Sequence, residues 1–164
     1  MKLNLNLSGA LGEMGLAPED VNALFLVPAA MVAWADGEAD MKELDAIAET
    51  HRCDCTEGDC LCLIEAARQF LYYNFVYQRP TAELLRSALG CLGAYLLAQP
   101  KDKADRLRLL MFSVAMDVAR SSGRGVLRRL GSVGLTEKLA IANVAGALGF
   151  HDIPVLERLM EQDE

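Results

Sequence analysis

Apolar residues recur at three- and four-residue spacing through most of the chain. No segment sustains a period-two alternation of β-branched residues. The pattern therefore predicts helices joined by short connections. Residues 1–15 are Gly-rich with spaced Leu and read as a loop or loosely packed arm. Pro18 opens a helix that runs to about Ala35, with Glu19 and Asp20 at its positive end and a kink at Pro28. Asp40 caps a second helix, and Glu43 three residues later completes a capping box. Leu44, Ile47 and Ala48 form its apolar stripe.

Thr56 and Asp59 start a third helix, which continues through Ile64, Ala67, Phe70 and Leu71 to about Phe75. A fourth covers about Ala82–Leu97 and stops before Pro100. A fifth covers about Lys103–Ser121, followed by a short one at Val126–Ser132. Thr136 caps Glu137–Leu148, and a last helix runs from Pro154 to about Met160. The prediction is a single all-α domain over residues 1–164, a compact bundle of about eight helices.

A displacement of 86 residues lays Leu24–Leu44 on Leu110–Leu130. Leu24, Ala29, Val32, Ala33, Gly37 and Leu44 coincide with Leu110, Ala115, Val118, Ala119, Gly123 and Leu130. Ile47 falls on Val133. Two helix-turn-helix units around 24–50 and 110–136, sharing one packing face, account for the match. Shared Leu and Ala composition is the other account, but the Gly at both breaks favours a repeat.

At 164 residues, 52% of them hydrophobic, the chain can bury a substantial core. The N-terminus lacks a basic stretch followed by a long apolar run, so it does not read as a signal peptide. Charges and prolines interrupt the apolar segments, and no membrane span is predicted. The expected location is cytoplasmic. A net charge of −7 argues against nucleic acid as a partner. Residues 1–65 carry a net −10 and residues 66–164 a net +3. The acidic end suits cations or basic partners, or is a solvated surface.

The most unusual segment is Ala33-Trp34-Ala35-Asp36-Gly37-Glu38-Ala39-Asp40-Met41-Lys42-Glu43. Asp36, Glu38, Asp40 and Glu43 are hard oxygen donors of the kind that Ca²⁺ and Mg²⁺ prefer. The spacing is not that of an EF-hand, because Gly falls second and Ile47 occupies the twelfth position. Asp40 and Glu43 are also explained by capping alone. Val32-Ala33-Trp34-Ala35-Asp36-Gly37-Glu38, followed by Glu43-Leu44, resembles the signature of the TerB-like tellurite-resistance family. A membrane-anchored J-domain co-chaperone carries the same module. The resemblance is sharpest over 24–50 and extends over 18–150. It implies two similar helical halves, each with an acidic corner proposed to hold a divalent cation. In this chain that implicates Asp36, Glu38, Asp40 and Glu43.

The second copy departs from that pattern. Ser122-Gly123-Arg124 replaces the acidic turn, and Arg129 falls on Glu43. The result is a basic strip of Arg120, Arg124, Arg128 and Arg129. It pairs with the acidic corner, meets an acidic partner or is a solvated face.

The segment from His51 to Cys62 holds His51, Cys53, Cys55, Cys60 and Cys62. These are soft donors for a metal such as Zn²⁺, or a redox pair. The pattern is Cys-x-Cys twice instead of the Cys-x₂-Cys knuckle. On a helix Cys60 and Cys62 point about 200° apart, so only one of them joins a tetrad with His51, Cys53 and Cys55. Structural thiols are the plainer account, and Cys91 reads as core. Tyr72, Tyr73, Phe75 and Tyr77 read as core or interface.

Two histidines, no phosphate loop and no nucleophile–base motif argue against an enzyme. The expectation is a non-enzymatic domain in metal, tellurite or stress response. Its ligand would be a divalent metal ion (Ca, Mg, Mn or Zn) or a basic protein partner, with no organic cofactor. A metal-free interaction module and a cysteine-based metal or redox sensor are the alternatives. A homodimer is left open.

Overall fold

A computed structural model of the protein describes residues 2–35, 37–50, 63, 65–121 and 135–149. Every regular element among them is helical. The described residues form seven α-helices: α1 (Lys2–Glu13), α2 (Val27–Ala33), α3 (Met41–Thr50), α4 (Glu65–Leu71), α5 (Ala82–Ala98), α6 (Lys101–Ser121) and α7 (Leu135–Ala147). A 3₁₀ segment, Pro18–Leu26, precedes α2, and a π-helical turn, Tyr72–Val76, extends α4. The all-α class is as predicted. The short helices expected at 126–132 and 154–160 lie outside the described residues, as does the second turn of the repeat.

Residues 2–13 form a helix, in place of the loop or loosely packed arm that their Gly content predicts. Leu7, Ala10, Leu11 and Met14 lie at helical spacing and pack on the core. Gly15, at φ +81°, closes the helix. The Leu16 N–H donates to the Leu11 carbonyl at 2.9 Å and the Gly15 N–H to the Gly12 carbonyl at 3.0 Å. This is a Schellman ending, with buried Leu11 and Leu16 as its apolar pair.

The helix expected over 18–35 is divided. Pro28 has no N–H, so it cannot donate to the Leu24 carbonyl as an α-helix requires. The Val27 N–H takes that carbonyl in a 3₁₀ bond, and Pro28 falls in the first turn of a new helix, where a missing donor costs nothing. The break is a change of helix type at Leu26–Val27.

Helix α2 lies at the centre and packs more extensively on α6 than on any other element. Ala29, Ala30, Val32 and Ala33 of α2 are fully buried, as are Met111, Ala115, Val118 and Ala119 of α6. Small residues on both helices allow close approach, and the Leu, Met and Val side chains interlock around them. These are the two segments that the 86-residue displacement aligns. Helices α3 and α7 also rest on α6, while α4 rests on the 3₁₀ segment and α1 on α5. The Arg108 guanidinium joins α6 to the end of α7, donating to the Leu148 carbonyl at 2.8 Å and to the Asp105 carboxylate at 2.9 Å.

Among the described residues no single helix is long and apolar enough to cross a membrane. Leu7–Glu13 and Pro18–Ala33 reach that hydropathy only as a pair bent by 70°. Most of the second member is core.

Candidate functional site

The acidic corner joins α2 to α3, and backbone hydrogen bonds set its course. The Trp34 N–H donates to the Ala30 carbonyl, the Ala35 N–H to Val32 and the Gly37 N–H to Trp34, at 3.0–3.1 Å. Gly37 has φ +97°, a conformation that disfavours a residue with a Cβ. The chain then extends through Glu38 and Ala39 to Asp40.

Asp40 and Glu43 form the predicted capping box. The Glu43 N–H donates to Asp40 Oδ1 at 2.9 Å, and the Asp40 N–H donates to Glu43 Oε2 at 2.9 Å. Two backbone donors that α3 leaves unsatisfied at its start are thereby paired. Both carboxylates also lie at the positive end of the helix dipole. Glu43 is 5% exposed, Asp40 is half-buried and Glu38 is exposed. Asp36 lies outside the described residues. Among the described residues no three His, Cys, Asp or Glu side chains converge as a metal-binding group. Carboxylate oxygens are the donor type a hard cation takes, and in Asp40 and Glu43 they already serve the cap.

Trp34 anchors the corner from beneath. Its indole N–H donates to the Phe75 carbonyl at 2.8 Å. On the outer side, Arg79 Nη1 lies 3.8 Å from the position a Cβ would take on Gly37. Neither partner is evident from the sequence, because residues 75 and 79 reach the corner only through the path of the π-helical turn.

Of the predicted basic strip, Arg120 is placed. It forms an ion pair of 3.6 Å with Asp117 one turn earlier on α6, both side chains well exposed. Such a pair contributes little to stability. Arg124, Arg128 and Arg129 lie outside the described residues, as do His51, Cys53, Cys55, Cys60 and Cys62. Cys91 is buried, as expected. Burial pushes its thiol up from the ordinary 9.0, and the Glu13 carboxylate adds to the effect.

The tyrosine cluster divides by side. Phe75 is fully buried, whereas Tyr73 and Tyr77 are exposed and meet edge to face at 6.0 Å. Two concavities flank this region. One, of about 650 Å³ between α1 and α5, is lined by Leu7, Met14, Phe70, Leu84 and Cys91, with Glu13 and Glu83 among its polar groups. The other, of about 550 Å³, lies beside the acidic corner. No protein-family model, curated protein or solved structure matches the chain.

Proposed function

We propose that the chain is a non-enzymatic docking domain of the TerB-like kind, with two similar helical halves, and that its acidic corner receives positive charge. The ligand is a basic segment of a partner protein, in the metal, tellurite or stress response that the resemblance implies. A hard divalent cation is the second ligand of the same carboxylates. The observation that carries the reading is the reciprocal capping of Asp40 and Glu43. It makes the start of α3 a fixed platform, and Glu38, which capping does not explain, is exposed on a turn whose positive φ at Gly37 favours glycine. The half-molecule charge of −10 over residues 1–65 adds a field that draws cationic groups.

Thermal melts in the presence of a Lys/Arg-rich peptide, and separately of Ca²⁺, Mg²⁺, Mn²⁺ or Zn²⁺, test the proposal. A ligand that raises the Tm binds the native state preferentially. The expected shift appears with the peptide or a cation and is lost in the double variant Asp36→Asn, Glu38→Gln. A shift that survives the double variant places the ligand elsewhere. One abolished by Cys53→Ala with Cys55→Ala assigns it to the thiols.

A further inference from the structure

The concavity beside the acidic corner has the composition of a ligand pocket of opposite preference. Its walls are Met31 and Trp34 at the end of α2, Pro80, Leu85 of α5 and Leu139 of α7. Its volume of about 550 Å³ lies in the range of small-molecule sites, which are mainly apolar with a few placed polar groups. Here those groups are Arg79 and the amide of Asn143. Among the described residues Arg79 is the one charged residue lining it, and it makes no ion pair there. Leu139 stands 59% exposed at this pocket, although a leucine of that exposure gains by being covered.

We infer that this pocket binds an amphipathic carboxylate, a molecule with an apolar body of medium length and one terminal carboxyl group. The body lies along Trp34, Leu85 and Leu139, and the carboxylate meets the Arg79 guanidinium, whose forked donors match its two oxygens. Asn143 supplies an amide N–H. Charge complementarity selects the ligand. A neutral chain leaves the guanidinium unused, and a cationic one is repelled by it. The pocket shares Trp34 and Arg79 with the acidic corner but takes the opposite charge, so a response to decanoate and a response to a basic peptide distinguish the two sites.

Trp34 is the only tryptophan in the chain, so its emission reports on the pocket directly. Decanoate, decanol and decyltrimethylammonium, each kept monomeric, are titrated against the full chain while Trp34 fluorescence is followed. Decanoate is expected to give a saturable change, with decanol weaker by about fivefold or more and the ammonium compound weaker still. Arg79→Met lowers decanoate affinity to the level of decanol, whereas Arg79→Lys retains part of the difference. Ala140→Phe fills the pocket and abolishes binding of both, with far-UV circular dichroism confirming the fold. Equal affinity for decanoate and decanol, an unchanged affinity in Arg79→Met, or no saturable response to decanoate overturns the inference.

Discussion

The Trp34 indole N–H donates to the Phe75 carbonyl at 2.8 Å, a bond between residues 41 positions apart in sequence. Phe75 sits in the π-helical turn, where the Tyr77 N–H reaches back to Tyr72 at 2.8 Å. The donor that would continue this five-residue spacing to Phe75 belongs to residue 80, which is proline and has none. The indole supplies it. Replacing Trp34 by Phe keeps an aromatic ring but orphans the carbonyl. The expected loss is about 1–2 kcal/mol, the range for a polar group left unpaired in a half-buried place. Urea unfolding followed by far-UV circular dichroism measures it. A loss below about 0.3 kcal/mol shows that water replaces the indole without penalty.

The capping box gives a second expectation. Asp40→Ala removes the acceptor of the Glu43 N–H and is expected to cost about 1 kcal/mol. Asp40→Asn keeps an acceptor and costs less. Glu43→Ala removes the acceptor of the Asp40 N–H, and the loss in the Asp40→Ala, Glu43→Ala double variant falls short of the sum, because the two bonds share one geometry. Additive losses within error in urea melts contradict a coupled box.

Cys91 makes stability fall with alkaline pH. Burial first, and Glu13 second, raise its pKa in the folded protein above the ordinary 9.0. The folded state therefore holds the thiol proton more tightly than the unfolded chain does. This contribution is complete below pH 9.0 and is lost as the pH rises through the higher folded value. Cys91→Ala removes the titration and adds a small cavity cost that does not vary with pH. The stability gap between the wild type and Cys91→Ala thus narrows above pH 9.0. In a variant with Ser at positions 53, 55, 60 and 62, alkylation of Cys91 at pH 8 is expected to be at least about tenfold slower than in urea. Equal rates contradict burial of the thiol.

Much of this architecture is legible in the sequence where one local rule decides. The Asp40–Glu43 box follows from a three-residue spacing, and the end of α5 at Ala98 follows from Pro100, which disfavours helix in the residue before it. Gly9 and Gly12 lower helix propensity and obscure α1 in the sequence. Its evidence lay instead in Leu7, Leu11 and Met14 and in the closing Gly15. The division at Leu26 was hidden because a proline that kinks a helix and one that begins a helix look alike in sequence. Arg79 and Phe75 could not be assigned to the corner at all. Their approach depends on tertiary packing, and no period or spacing encodes it.

Gly37 gives the most direct test of how the corner is held. At φ +97° a Cβ costs about 1–2 kcal/mol from backbone sterics alone. Space is not the obstacle, since the nearest atom to such a Cβ, Arg79 Nη1, lies at an ordinary contact distance of 3.8 Å. Gly37→Ala and Gly37→Asn separate the two contributions. Asn tolerates positive φ better than Ala although its side chain is larger. If backbone conformation governs the turn, Asn is less destabilising than Ala. If crowding against Arg79 governs it, the order reverses, and Arg79→Ala then rescues Gly37→Asn. Urea unfolding of the three variants and the double variant decides between them, and the conformational account predicts no rescue.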